Sequence, residues 1–136
     1  MITYGASVTI EQAKTAAAAA LAEARANGWL MAVAIVDTAG FLVYFEKMDH
    51  TQLGSVAVAQ AKARSAALFK RPTKAFQDAL AGGGDGLRVM ALEGAVPVDG
   101  GLPLTIDGQI AGAIGMSGGT SAEDAQCAQK GVQAVK

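Results

Sequence analysis

Between Trp29 and Asp37 the chain runs WLMAVAIVD, an unbroken apolar stretch closed by an aspartate. It is far below the roughly 18 apolar residues a membrane span needs. It also lacks the alternation of a strand with one wet face. The stretch therefore predicts a strand buried on both faces, which needs helices packed around its sheet. Thr38-Ala39-Gly40 is a short turn, and Phe41 to Phe45 is a second strand of aromatic and β-branched residues. The two form an antiparallel hairpin.

The remaining elements follow from caps and turn residues. Thr9 and Gln12 make a capping box, so a helix runs from Ile10 to Ala26 and stops at Asn27-Gly28. Gly54 to Lys70 is alanine-rich and helical until Pro72, which opens a short helix through Leu80. Gly82 to Gly86 is expected to be a loop, either a connector or a ligand-covering segment, and Arg88 to Leu92 a short strand or turn. Leu102 to Ile106 and Gln109 to Met116 flank Asp107-Gly108, the residues of a two-residue type I′ hairpin. Thr120 and Glu123 form a second capping box ahead of a final helix. The order predicts an α/β fold with a single antiparallel sheet flanked by helices, and residues 1–136 form one domain.

Composition narrows the function classes. The chain is 51% hydrophobic but only 5% aromatic, and much of its apolar content is alanine. Alanine removes little surface per residue, so the core needs close packing or subunit contacts, and a homo-oligomer (dimer or higher) is expected. A net charge of −1 speaks against nucleic acid as partner. One cysteine, Cys127, excludes an intrachain disulfide, and one His with one Cys cannot make a closed zinc site, so no metal site is expected. Met1 to Gly5 lacks a basic start followed by an apolar run. The expected location is cytoplasmic, away from any membrane.

Several residues carry candidate chemistry, each beside a plainer reading. His50, after Asp49 in a loop leaving the first hairpin, could ligate haem iron or act as an acid or base; a lone loop histidine can equally be merely solvated. Met48 and Met116 could supply soft ligands or fill the core. Gly115-Met116-Ser117-Gly118-Gly119 has the spacing of a nucleophile elbow between strand and helix, but His50 precedes the serine, against that fold's order. The amides of Ser117, Gly118 and Gly119 could instead bind a carboxylate at a helix N-terminus, unless Glu123 and Asp124 satisfy that end internally. Lys62 and Arg64 are two apart on one helix, so they point differently; one could face outward and the other a cleft or interface as a carboxylate partner, or the helix presents only a solvated basic face. Asp37 caps the hairpin turn or lines the cleft.

Five segments together resemble the GlcG/HbpS family. They are VDTAGFLVYF at Val36–Phe45, Lys47-Met48-Asp49-His50, AKARSAALF at Ala61–Phe69, GGLPL at Gly100–Leu104 and GAIGMSGG at Gly112–Gly119, followed by Glu123-Asp124. The resemblance covers nearly the whole chain in order. It implies a profilin-like sandwich with a five-stranded antiparallel sheet, assembly into dimers and larger rings, and haem as the candidate cofactor. Many relatives carry glycine where this chain has His50, so the resemblance transfers no shared haem ligand to it.

The expected function is a cytoplasmic oligomer holding a small molecule such as haem. His50 would contact it, and Lys62, Arg64, Ser117, Gly118 and Gly119 would take its carboxylates. The alternative is a catabolic isomerase or tautomerase acting on a carboxylated metabolite, with His50 or Asp49 moving a proton and the glycine amides stabilising an enolate. Both expectations place the His50 loop and the glycine turn on one enclosed pocket.

Overall fold

A computed structural model describes residues 2–136. Four strands, β1 (Ala32–Val36), β2 (Leu42–Lys47), β3 (Gly101–Ile106) and β4 (Gln109–Ser117), form one sheet in the order β2-β1-β4-β3. Every strand pair in it is antiparallel. The helices are α1 (Ile10–Ala26), α2 (Ser55–Phe69), α3 (Thr73–Ala81) and α4 (Ser121–Ala134). The expected five strands are corrected to four. Beyond them, the described residues offer only a single parallel bridge between Tyr4 and Ile110. The segment is too short to make a ladder, because the chain turns into the α1 cap within a few residues.

Local chemistry explains the element ends. Thr9 Oγ1 accepts from Gln12 N at 3.1 Å and Gln12 Oε1 accepts from Thr9 N at 2.9 Å, so the first capping box closes reciprocally. Thr120 and Glu123 do the same at 3.2 and 2.9 Å. Asp107 and Gly108 have φ of 53° and 76°, the left-handed pair a type I′ turn requires. Asp37 caps its hairpin turn, its Oδ1 accepting from Ala39 N and Phe41 N at 2.9 Å each. The loop expected over 82–86 is shorter than that. Gly84–Ala91 winds into a 3-10 helix, which also replaces the strand or turn expected at Arg88–Leu92.

The sheet is covered on both faces. Ala32, Ala34 and Val36 of β1 pack against Ala59, Ala63 and Ala66 of α2. Val33 and Ile35 point the other way, into the cluster that α1 and α4 supply. Both β1 and the centre of β4 are fully buried, as the apolar run demands. Small residues allow the close approach: a Cβ on Gly115 would strike the carbonyl of Ala59 and lie 2.6 Å from Ala63 N. The backbone of α2 therefore rests directly on β4, and the alanine-rich interface gains contact by proximity rather than by side-chain bulk.

Candidate functional site

Antiparallel register decides what surrounds His50. Ala32 pairs with Lys47, so β2 ends beside the start of β1. Pairing continues one step further, with Met48 N donating to Met31 O at 3.0 Å and Met31 N donating to Met48 Sδ at 3.4 Å. The chain then turns at Asp49-His50, and Thr51 is buried with its hydroxyl donating to Met31 O at 3.1 Å. Because α1 runs into β1 through Leu30, its last turn lies against the same corner. The result is an open cleft of about 480 Å³ walled by Arg25, Leu30 and the Glu46–His50 segment.

His50 is exposed at this cleft, with a φ of 67°. That left-handed conformation is unusual for a residue with a Cβ. Leu30 gives the cleft an apolar surface, being 45% exposed. Arg25 and Lys47 supply cations, although Arg25 also approaches Glu46 at 3.8 Å across an exposed pair. Glu46 is shared further, accepting from Tyr44 Oη at 2.7 Å, and this bond raises the tyrosine pKa above its ordinary value. Asp49 is exposed beside His50 in the cleft wall. Arg25 was missed in the sequence because nothing local links the end of α1 to the end of β2; the register does.

The other candidates lie elsewhere. Lys62 is buried at 1% exposure, and its ammonium donates to Asp124 Oδ2 at 2.8 Å and to Met116 O at 2.9 Å. It ties α2 to β4 and α4 and does not line the cleft. Burial pushes the Asp124 carboxyl above the usual carboxylate range, opposed by its bonds from Lys62 and from the Gly119 N–H. Arg64 is exposed on α2, stacked beside Gly40 of the hairpin turn at the opposite end of β1 from His50. The pair does split into one inward and one outward side chain, but neither reaches the cleft.

Two amides of the glycine turn are bonded to side chains of the helix that follows it. Gly119 N donates to Asp124 Oδ1 at 2.9 Å and Thr120 N to Glu123 Oε1 at 2.9 Å. Ser117 is buried, and its hydroxyl pairs with Ser55 Oγ at 3.0 Å. Gly118 sits against the backbone of Leu30 and Met31, yet none of Ser117, Gly118 and Gly119 lines the cleft. The expected single enclosed pocket is therefore replaced by an open cleft at His50, with the Gly119 amide bonded to the Asp124 side chain of α4. Met116 is wholly buried and fills the core, while Met48, in the cleft wall, has its sulfur accepting from the Met31 amide. Among the described residues no cluster of three or more His, Cys, Asp or Glu could hold a metal ion, and no helix is long and apolar enough to cross a membrane.

Comparison with known proteins places this architecture. The family model for the haem degrading protein HbpS-like group matches residues 8–133. Protein GlcG of Escherichia coli strain K12 is 36% identical over 107 residues, covering 79% of this chain and 78% of the relative. The chain belongs to this HbpS-like family. Among solved structures, HbpS superposes with a TM-score of 0.88 at 28% identity, covering 99% of this chain and 94% of that one. A double mutant of HbpS from Streptomyces reticuli gives the same score and identity over 99% and 91%. The PduOC:haem complex matches with a TM-score of 0.85 at 27% identity over 96% of each chain.

Proposed function

We propose that this protein is a cytoplasmic, oligomeric small-ligand binder whose ligand is haem, held in the His50 cleft. The observation that carries the reading is the backbone of His50, whose φ of 67° is a costly conformation that glycine would adopt freely. A histidine kept there presents an imidazole to a cleft whose size lies in the usual range for small-molecule sites, about 300–1,000 Å³. The donor set suits the group: imidazole is a haem-iron ligand, Leu30 offers apolar contact to a flat ring, and Arg25 and Lys47 suit carboxylates. Bound haem would supply a redox-active iron. The solved complex of PduOC with haem, and the haem degrading proteins for which the family is named, support haem over other flat carboxylated molecules. The isomerase or tautomerase alternative is weakened because the Gly119 amide, one of its expected oxyanion donors, is already bonded to Asp124 and none of Ser117, Gly118 and Gly119 lines the cleft.

Oligomerisation is supported by apolar surface at the far end of the sheet. Phe41 is 71% exposed, Leu68, which lies beside Gly40, 36%, and Leu42 on the edge strand β2 50%. The lone thiol, with no partner for a disulfide, fits a reducing compartment. Haem titration tests the ligand. A sharp Soret shift saturating at one equivalent per subunit, lost in His50→Ala and weakened in Arg25→Ala and Lys47→Ala, is the expected result. Unsaturable uptake that survives His50→Ala overturns it. Sedimentation at micromolar concentration reads the assembly, and a monomer mass removes that part of the proposal.

A further inference from the structure

A second cavity, separate from the His50 cleft, opens at the free edge of β3. It measures about 230 Å³ and its walls are mainly apolar, from Pro72, Leu102, Pro103, Ile110 and Val132. Its lining contains one charged group, the ammonium of Lys70. Lys70 ends α2 with a φ of 55°, a helix-terminal position where glycine is the usual residue. Its side chain is held in place: Nζ donates to Ile2 O at 3.2 Å and lies 5.3 Å from the centre of the Tyr4 ring. Tyr4 is itself fixed, its hydroxyl donating to Ala67 O at 2.6 Å. Among the described residues this leaves the ammonium with unused N–H groups at the mouth of an apolar cavity that contains no carboxylate.

We infer that this cavity is a binding site for a small amphipathic monocarboxylate, its carboxylate on Lys70 and its hydrocarbon body among Leu102, Pro103, Ile110 and Val132. Size sets the class. A cavity of roughly 150 Å³ takes up benzene, so this one holds about nine heavy atoms, the size of benzoate or a six-carbon acid. The sign of the charge follows from Lys70 alone. The free edge of β3 does not serve an extended peptide well, because Pro103 has no N–H to give a ladder.

The experiment is an amide NMR titration of the full chain with benzoate and with benzyl alcohol, its near-isosteric neutral counterpart. Benzoate is expected to saturate in the millimolar range with shifts centred on Thr105, Gln129 and Val132. Benzyl alcohol should bind at the same residues about tenfold more weakly, the loss of a charge-assisted hydrogen bond. Lys70→Met should abolish the difference between the two probes. Equal binding of both by the wild type overturns the inference without any variant. So does an absence of saturable shifts, or a benzoate response that maps to Leu30 and His50 instead. None of these outcomes depends on whether haem binds at His50.

Discussion

Replacing His50 with glycine separates what the residue does for the fold from what it does for the ligand. With φ at 67°, an L-residue at this position costs roughly 1–2 kcal/mol relative to its preferred regions. Glycine relieves that cost but makes the unfolded chain more flexible, which offsets the gain by about 0.4–1 kcal/mol. His50 is exposed, so little packing is lost with its side chain. The expected net effect of His50→Gly is a gain of about 0.5–1 kcal/mol. For a chain of this size that raises Tm by roughly 2–4 °C. His50→Ala keeps the strained backbone and should change stability by less than about 0.5 kcal/mol. Thermal unfolding followed by circular dichroism gives both numbers, and a haem titration on the same samples gives the second axis.

Stability and haem binding should move in opposite senses for His50→Gly, which is expected to be more stable and unable to shift the Soret band. His50→Ala should be about as stable as wild type and equally unable. If His50→Gly melts several degrees lower, the imidazole is contributing packing that its exposure does not show, and backbone strain is not what sets the stability here. If the variant is more stable but still binds one haem per subunit, the strain is real and the ligand assignment falls.

Three further perturbations probe the frame around the cleft. Gly115→Ala drives a methyl group into the α2 backbone at Ala59 and Ala63, and should cost about 3 kcal/mol in urea unfolding; a loss below about 1 kcal/mol would show that α2 can lift off the sheet freely. Lys62→Met leaves Asp124 buried without its cation and should cost about 3–5 kcal/mol, with most of the loss recovered in the Lys62→Met, Asp124→Leu pair; equal losses in the single and double variants would refute the coupling. Cys127 is buried and its thiol is pushed up to about 12 by desolvation, with nearby carboxylates adding to the shift. At pH 8 the thiol is therefore kept protonated, so an aromatic disulfide reagent should label it only on unfolding; prompt labelling of the native protein would contradict its burial.

What the sequence revealed and what it hid divide by range. Turn and cap chemistry acts over two to four residues. Asp37, the Asp107-Gly108 pair and both capping boxes could therefore be placed without coordinates, and with them nearly every element boundary. The same locality misled at Gly82–Gly86, where glycine suggests a loop but Val89 buries itself and draws Gly84–Ala91 into a 3-10 helix. The partners of charged side chains depend on register and on packing of distant segments. Lys62 could be read as pointing differently from Arg64, but its acceptor Asp124 lies 62 residues further on, and Arg25 meets the cleft only because Ala32 pairs with Lys47.

That division bears on where function resides. The segments Ala61–Phe69 and Gly112–Gly119 and the Glu123-Asp124 pair, which carried the resemblance to the family, converge on one structural knot: Lys62 bonded to Asp124 and Met116, Gly115 under α2, and Gly119 on Asp124. Lys62, Gly115, Gly119 and Asp124 hold α2 and α4 to the sheet, and a ligand carboxylate on Lys62 or on the Gly119 amide would have to displace bonds already made. His50 stands at a turn where glycine would cost less, and nothing in the packing of the fold calls for an imidazole there. A strained backbone that carries an exposed imidazole at an open cleft makes His50 the position at which the proposed ligand binding of this chain is to be measured.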